Sequence, residues 1–491
     1  MTENGKTTDE TSVVRRDRFT GGPAREFMSS LAADKRIFSA DIAVDRAHTV
    51  MLAEQEIIED DTGRAILSGL ESIESDGHGA LPDGEDVHEA IETELIDRIG
   101  SLGGKMHTAR SRNDEVATCI RYRLRTDILG VVEDVLATHD VLIETASANV
   151  ETIMPGYTHL QLAQPTTVGH FLLSYASALE RDIERLLAAF ERTNVSPLGA
   201  AAFAGTPFDI NRERTAELLG FDEVLSNAMD ASASRDFLVE TVNAITTLAT
   251  GMSGLAEDLV LFASRGHLIL GDDYASTSSI MPQKVNPDTI ELVRAVAGDM
   301  IGEQSAIQAG LKGLPRAYNR DLQRVTPHAW RAVDTVSEAI KIVGGAIEDA
   351  EWDGDALGKA AGEGFGTATG VADALATAGV PFRQAHEVVA KASAAAKGDR
   401  PSVDQIEDIA SSILDEPLFE RVSKEMIEDA LDPVENVKNR DSYGGPAPST
   451  VQAELDARST AHETYQQMVI SNRTSIEQAA SNLEMEVDKY V

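Results

Sequence analysis

An all-α fold follows from three features of this 491-residue chain. Apolar residues recur at three- and four-residue spacing in long stretches beginning near residues 115, 165, 235, 287 and 326. Strand-like alternation is scarce between them. Aromatic residues make up only 5% of the chain, which favours close-packed helices over a β-sandwich. Five long amphipathic helices bury their stripes most readily against one another, so a central bundle is expected over 113–364. An N-terminal helical domain, 1–112, and a smaller helical domain, 365–491, flank it.

Taken in order, residues 1–18 are polar and read as a flexible lead-in, and 19–23 as a turn. A helical pattern covers 42–59. Turn signals at Gly63, Gly77, Gly79 and Pro82-Asp83-Gly84 mark 60–84 as connecting chain. Val87, Ile91, Leu95 and Ile99 space a helix over 85–99. Within it, His88 and Glu92 suggest a zinc helix, but a second histidine is required where Glu92 stands. No metal is expected, and His88 is kept as a polar contributor to a pocket. The run 103–114 then places Lys105, Arg110 and Arg112 in an otherwise acidic chain, as recognition of a carboxylate requires. Ser111, Asn113 and Asp114 offer hydrogen bonds and a cap for a long helix over 115–150.

Residues 155–165 read as a link carrying Thr158 and His159, followed by a helix over 165–192. After a loop at 194–210 and a short helix at 211–219, the run 230–236 leads into a long helix ending near Ser264. Residues 276–286 are a hydroxyl-rich loop bearing Lys284. Asn286 is placed to cap the next helix, with Pro287 and Asp288 in its first turn. A cationic loop leading into a helix amino end suits an anion, or negative charge that develops during a reaction. A link at 312–323, a helix over 326–347 and a glycine-rich break at 354–370 complete the order.

Charge excludes several functions. The chain carries 43 basic and 82 acidic residues, a net charge of −39, so nucleic-acid binding is not expected. The carboxylates are spread throughout, as in a folded protein adapted to high salt, where screening removes self-repulsion. The single cysteine, Cys119, permits no internal disulfide and reads as a buried thiol. No apolar run is long enough for a membrane span, no signal core is evident, and a cytoplasmic protein is expected. There is no phosphate-binding loop and no dinucleotide fingerprint.

Four strings carry more. Ser278-Ser-Ile-Met-Pro-Gln-Lys284-Val-Asn286-Pro287 resembles the signature of the fumarase/aspartase superfamily. His107-Thr-Ala-Arg110-Ser111-Arg112-Asn113-Asp114 and Gly156-Tyr-Thr158-His159-Leu-Gln161 resemble the forms these regions take in argininosuccinate lyases, as does Pro381-Phe-Arg-Gln-Ala-His-Glu387 near the end. The resemblance spans about 19–450. It implies reversible, cofactor-free cleavage of argininosuccinate to arginine and fumarate, the last step of arginine biosynthesis. It also implies a homotetramer of three-domain subunits with a twenty-helix core, whose active sites are each shared by three subunits. By the same resemblance, Ser278 is the base, aided by Lys284, and His159 is the acid, with Glu291; the two proton roles are interchangeable. Arg110, Ser111, Arg112, Asn113, Thr158, Asn286, Tyr318 and Gln323 correspond to substrate-binding positions. The chain departs from the pattern with Ala109 and Thr277 in place of glycines. Asp41 stands where a serine contact is expected, and Thr326 where relatives place a carboxylate-binding lysine, for which Arg324 is a candidate substitute. Fumarase, aspartase, adenylosuccinate lyase and a crystallin-like scaffold are the alternatives.

Overall fold

The computed structural model describes residues 22–491; the expectations for residues 1–18 and for 19–21 of the turn lie outside this range, and Gly22 and Pro23 open a short helix, Gly22–Met28. Five long helices form the bundle: Arg112–Ala148, Val168–Thr193, Asp236–Ser264, Asp288–Leu311 and Leu322–Glu348. Their starts lie within three to four residues of the expected ones. Leu124, Ile128, Val132 and Val135 on the first, Ile183 and Leu186 on the second, and Ile245, Leu248 and Leu259 on the third are at most 1% exposed. They join one core with Ile290, Met300, Val336 and Ile340 from the other two. The all-α expectation holds.

The directions of these helices decide what can meet. Arg121 on the first helix donates to the Arg192 and Thr193 carbonyls at the end of the second and to Ser234 before the third. Thr138 bonds the Ile340 carbonyl (3.0 Å), and Ser337 bonds Asp134. The helices beginning at 112, 236 and 322 therefore start at one end of the bundle, and those beginning at 168 and 288 start at the other. At 37 residues the first helix alone separates the ends by about 55 Å.

Four readings of the sequence need correction. Residues 60–84 are not mainly turns: Asp60–Asp76 is a helix with Ile66, Leu67, Leu70 and Ile73 buried. Glycine costs a helix about 1 kcal/mol, less than the burial of one such side chain returns. The helix expected at 42–59 runs Phe38–Glu54. The link at 155–165 is a β-hairpin, Ile153–Thr158 paired antiparallel with Gln161–Thr167. Asn286 does not cap the helix that follows it; it pairs with Ser276 in a short ladder, and Pro287 takes the cap position without a side-chain bond.

Beyond the bundle, residues 371–431 enclose a second apolar core. The closing helix, Pro448–Val487, returns to the first, burying Val451, Leu455, Val469, Leu483 and Val487 against it. Among the described residues no helix is long and apolar enough to cross a membrane.

Candidate active site

At the bundle end where the 112 helix begins lies a cavity of about 510 Å³. Ser111 opens the helix as its cap. Its hydroxyl accepts from Asn113 N (3.3 Å), and Asp114 Oδ1 accepts from Ser111 N (2.9 Å) in a reciprocal capping box. Asp114 Oδ2 also accepts from Gly199 N and Ala201 N, fastening the 199–201 loop beside the cap. Burial pushes its carboxyl up to about 6 in spite of these donors. Asn113 Nδ2 donates to the Ala202 carbonyl (3.2 Å). Six of the residues singled out from sequence line this cavity together: His88, Ser111, Arg112, Asn113, Tyr318 and Gln323. Gln323 is held by the Met28 carbonyl (2.9 Å), and Arg112 by Asp86 (3.1 Å).

The cavity also draws on residues that sequence reasoning passed over. Ser30 and Asp34 line it, joined by a 2.7 Å hydrogen bond, as do Asp86, Arg235 and Arg320. The Ser30/Asp34 pair, four residues apart, was the available signal, but it falls before the first recognisable helix. Asp41, offered as the counterpart of a contact serine, does not line the cavity. Its carboxylate is fully buried, 2.8 Å from His88 Nδ1. Arg324 is exposed on the outer side of its helix and does not line the cavity either, although Thr326 does.

Behind the cavity wall is a buried layer of charge. Arg110 does not reach the cavity; its Nη2 contacts Asp45 (2.5 Å) and Glu115 (2.9 Å). Burial disfavours every charge here, yet Arg110 and His88 hold the Glu115 carboxyl far below its usual range. Burial likewise opposes a charged His88, but Asp41 and Glu115 outweigh it and raise the imidazole well above its ordinary value. Asp45 moves the other way, pushed well up by burial. Asp41, Asp45 and Glu115 have a metal-like spacing, but Arg110 supplies the cation there. Cys119 is buried as expected, donating to Asp41 at 3.4 Å.

The remaining candidates lie at the opposite end. The hairpin tip presents His159 and Leu160, both exposed and both in the left-handed region (φ 56° and 58°), the signature of a two-residue turn with positive φ at both centres. Thr158 flanks it. The nearby loop is anchored by Tyr274, whose ring lies where a Cβ on Gly345 would stand, 2.0 Å from its hydroxyl. Ser276 bonds Asp288, and Thr277 pairs with Val285, an extended position that suits a β-branched residue better than the expected glycine. Ser278 Oγ accepts from Ile280 N (3.3 Å) and Met281 N (3.1 Å). Lys284 and Glu291 are exposed. Phe262 packs on both Tyr157 and Phe171, so the hairpin and this loop share one end of the bundle. One chain thus brings together two groups of candidates, and does not bring the two groups to each other.

Comparison with known proteins identifies the family. A family model described as lyase matches residues 23–302, and one described as argininosuccinate lyase C-terminal matches 365–438. The chain is 58% identical to the argininosuccinate lyase of Haloarcula marismortui, covering 100% of this chain and 98% of the relative. It is 60% identical to that of Natronomonas pharaonis (97% of each), and 45% identical to that of Methanosarcina acetivorans (98% and 99%). Among solved structures, an EDDS lyase in complex with formate superposes with a TM-score of 0.85 at 30% identity over 95% of each chain. This chain belongs to the argininosuccinate lyase family.

Proposed function

We propose that the protein cleaves argininosuccinate reversibly to arginine and fumarate in the cytoplasm, as a homotetramer whose sites combine the two ends of the bundle from different subunits. The observation carrying the shared site is that the cavity and the loop bearing Ser278 lie at opposite ends of a bundle whose first helix is about 55 Å long. Family membership supports the reaction. The three-domain division at 112/113 and 364/365 belongs to the same proposal; the second core at 371–431 favours a separate C-terminal body, from which the Pro448–Val487 helix returns to the bundle.

The chemistry asks for a base at carbon, a counter-charge for the carbanion beside a carboxylate, and an acid for the departing guanidinium nitrogen. Ser278 is the proposed base. Two backbone N–H groups already point at its oxygen, and they would stabilise that oxygen as it loses its proton. Lys284, with Asn286 nearby and the amino end of the Asp288–Leu311 helix, offers positive potential for the carboxylate that gains charge. His159 is the proposed acid, with Glu291 setting its basicity across a subunit boundary. Proton flow in the other direction would exchange the roles of Ser278 and His159. No cofactor enters the scheme.

Fumarate release is followed by its ultraviolet absorbance in multimolar KCl, with Ser278→Ala as control. Release by the parent protein and a loss of about 1000-fold or more in the variant are expected, the scale of removing a base that acts in the transition state. A folded protein that makes no fumarate in any salt would exclude the lyase reading and favour the scaffold.

A further inference from the structure

Three helices bring a carboxylate, an imidazole and a thiol together behind the cavity wall. Asp41 comes from Phe38–Glu54, His88 from Val87–Ile99 and Cys119 from Arg112–Ala148. One donor atom of each lies within 4.8 Å of the other two, and all three residues are buried. Asp41 Oδ1 stands 2.8 Å from His88 Nδ1 and 3.4 Å from Cys119 Sγ. A fourth group, Glu115, lies one helical turn before Cys119, with Oε1 3.7 Å from His88 Nδ1. Among the described residues, Asp41 Oδ2 and Glu115 Oε2 are buried with no hydrogen-bond partner. The cluster therefore holds acceptor capacity that the chain itself does not use.

A tetrahedral zinc ion has bonds of about 2.0 Å to nitrogen or oxygen and about 2.3 Å to sulfur, which separate its ligand atoms by about 3.3–3.6 Å. The observed separations of 2.8, 3.4 and 3.7 Å bracket that range, so small side-chain shifts suffice to receive the ion. A thiolate beside an imidazole favours zinc and its transition-metal neighbours over calcium or magnesium, which take oxygen ligands. Arg110 supplies the cation on the Asp45 side, and its 2.9 Å contact fixes the Glu115 carboxylate as an outer partner fixes a metal ligand. His88 also lines the cavity, which gives an ion its approach.

We propose that Asp41, His88, Glu115 and Cys119 form a binding site for a divalent transition-metal ion of the zinc type. The ligand that Glu92 fails to supply on the His88 helix comes from two other helices. On binding, the ion replaces the imidazolium proton of His88 and the thiol proton of Cys119. Both protons leave to solvent, so the net charge of the layer is unchanged. The ion enters no step of the proposed cleavage; it ties three helices together, and the assignment does not rest on the lyase reading.

Cobalt(II) is the probe, titrated into the full-length protein in multimolar KCl against a protein-free blank. One cobalt per chain is expected, with the visible absorption of a tetrahedral site and a thiolate-to-cobalt charge-transfer band in the near ultraviolet. Excess zinc should bleach both. Cys119→Ala, which exchanges a buried thiol for a methyl, should abolish the charge-transfer band and weaken cobalt by about 100-fold, since even outer partners of a metal are worth about 10- to 100-fold. Zinc should raise the thermal midpoint of the parent protein and not that of Cys119→Ala. Asp41→Asn should show the same selective loss, with circular dichroism confirming the fold. Cobalt that binds without the charge-transfer band, or equally well to Cys119→Ala, sits on the acidic surface and overturns the assignment. So does a parent protein that takes up no cobalt.

Discussion

The two ends of the bundle are built on opposite terms. At the cavity end, charged side chains are buried and face opposite charges within one chain. Arg110, Asp45, Glu115, His88 and Asp41 form a closed layer, and Asp114 binds the helix cap to the 199–201 loop. At the other end, His159, Lys284 and Glu291 lie in the open on a strained turn, a loop and a helix start. One end has its charged groups paired within its own chain. The other offers polar groups with little to bind in the same subunit. That contrast is expected of a site whose binding half is preformed and whose reacting half is completed by neighbours.

The largest effect expected from this contrast is a recovery of activity. Asn113→Ala damages the cavity end and should cost about 100-fold, while Ser278→Ala damages the far end and should cost about 1000-fold. If every site draws its ends from different subunits, tetramers re-formed from an equal mixture restore some sites with both ends intact. Random mixing gives about a quarter of parental activity. Activity that stays at the level of the variants after verified subunit exchange would show that each chain supplies both ends itself.

How far the sequence anticipated this contrast depends on the region. The bundle was legible because each stripe, such as Ile245, Leu248, Met252, Leu255 and Leu259, repeats over many turns and is buried as a unit. The hairpin at 153–167 was not, because Pro155, Gly156 and Pro165 read locally as breakers while its pairing depends on partners further along the chain. Ser111, Arg112 and Asn113 were recognised from a contiguous string. Arg235 was not, since its place on the cavity wall is a property of the fold and not of its neighbours in sequence. Arg110 lies inside a recognised string, yet its side chain turns away from the cavity into the charge layer. Helical periodicity does not tell which of two adjacent polar residues faces the ligand.

A middle-sized effect tests whether the cavity end is closed by its own chain. His48 is 1% exposed, bonded to the Thr108 carbonyl at 2.8 Å, and burial together with Arg110 lowers its pKa to about 3. The unfolded value is about 6.5, so this group's contribution is complete above that pH and is lost as pH falls toward 3. At pH 5 the loss is about 2 kcal/mol. Asp114, raised to about 6 when folded, slopes the other way between 6 and 3.8. The comparison of parent with His48→Gln therefore isolates the histidine. Denaturant unfolding in multimolar KCl at pH 7 and pH 5 should show the parent losing about 2 kcal/mol more than the variant. Equal losses would mean that water reaches His48 and that the layer behind the cavity is open.

The smallest effect concerns the turn that joins this layer to the recognised string. Ala109 has φ 65°, the left-handed conformation that the glycine expected there would adopt freely. A Cβ in that region costs about 1–2 kcal/mol, whereas glycine adds about 0.5–1 kcal/mol of unfolded-state entropy to be lost on folding. Ala109→Gly should thus stabilise the protein by roughly 0.5–1 kcal/mol, the difference between the two terms. The measurement is the denaturation midpoint in multimolar KCl at unchanged m-value. If the strain instead serves to hold Arg110 against Asp45 and Glu115, the glycine variant loses stability. The cavity end would then owe part of its rigidity to a strained residue.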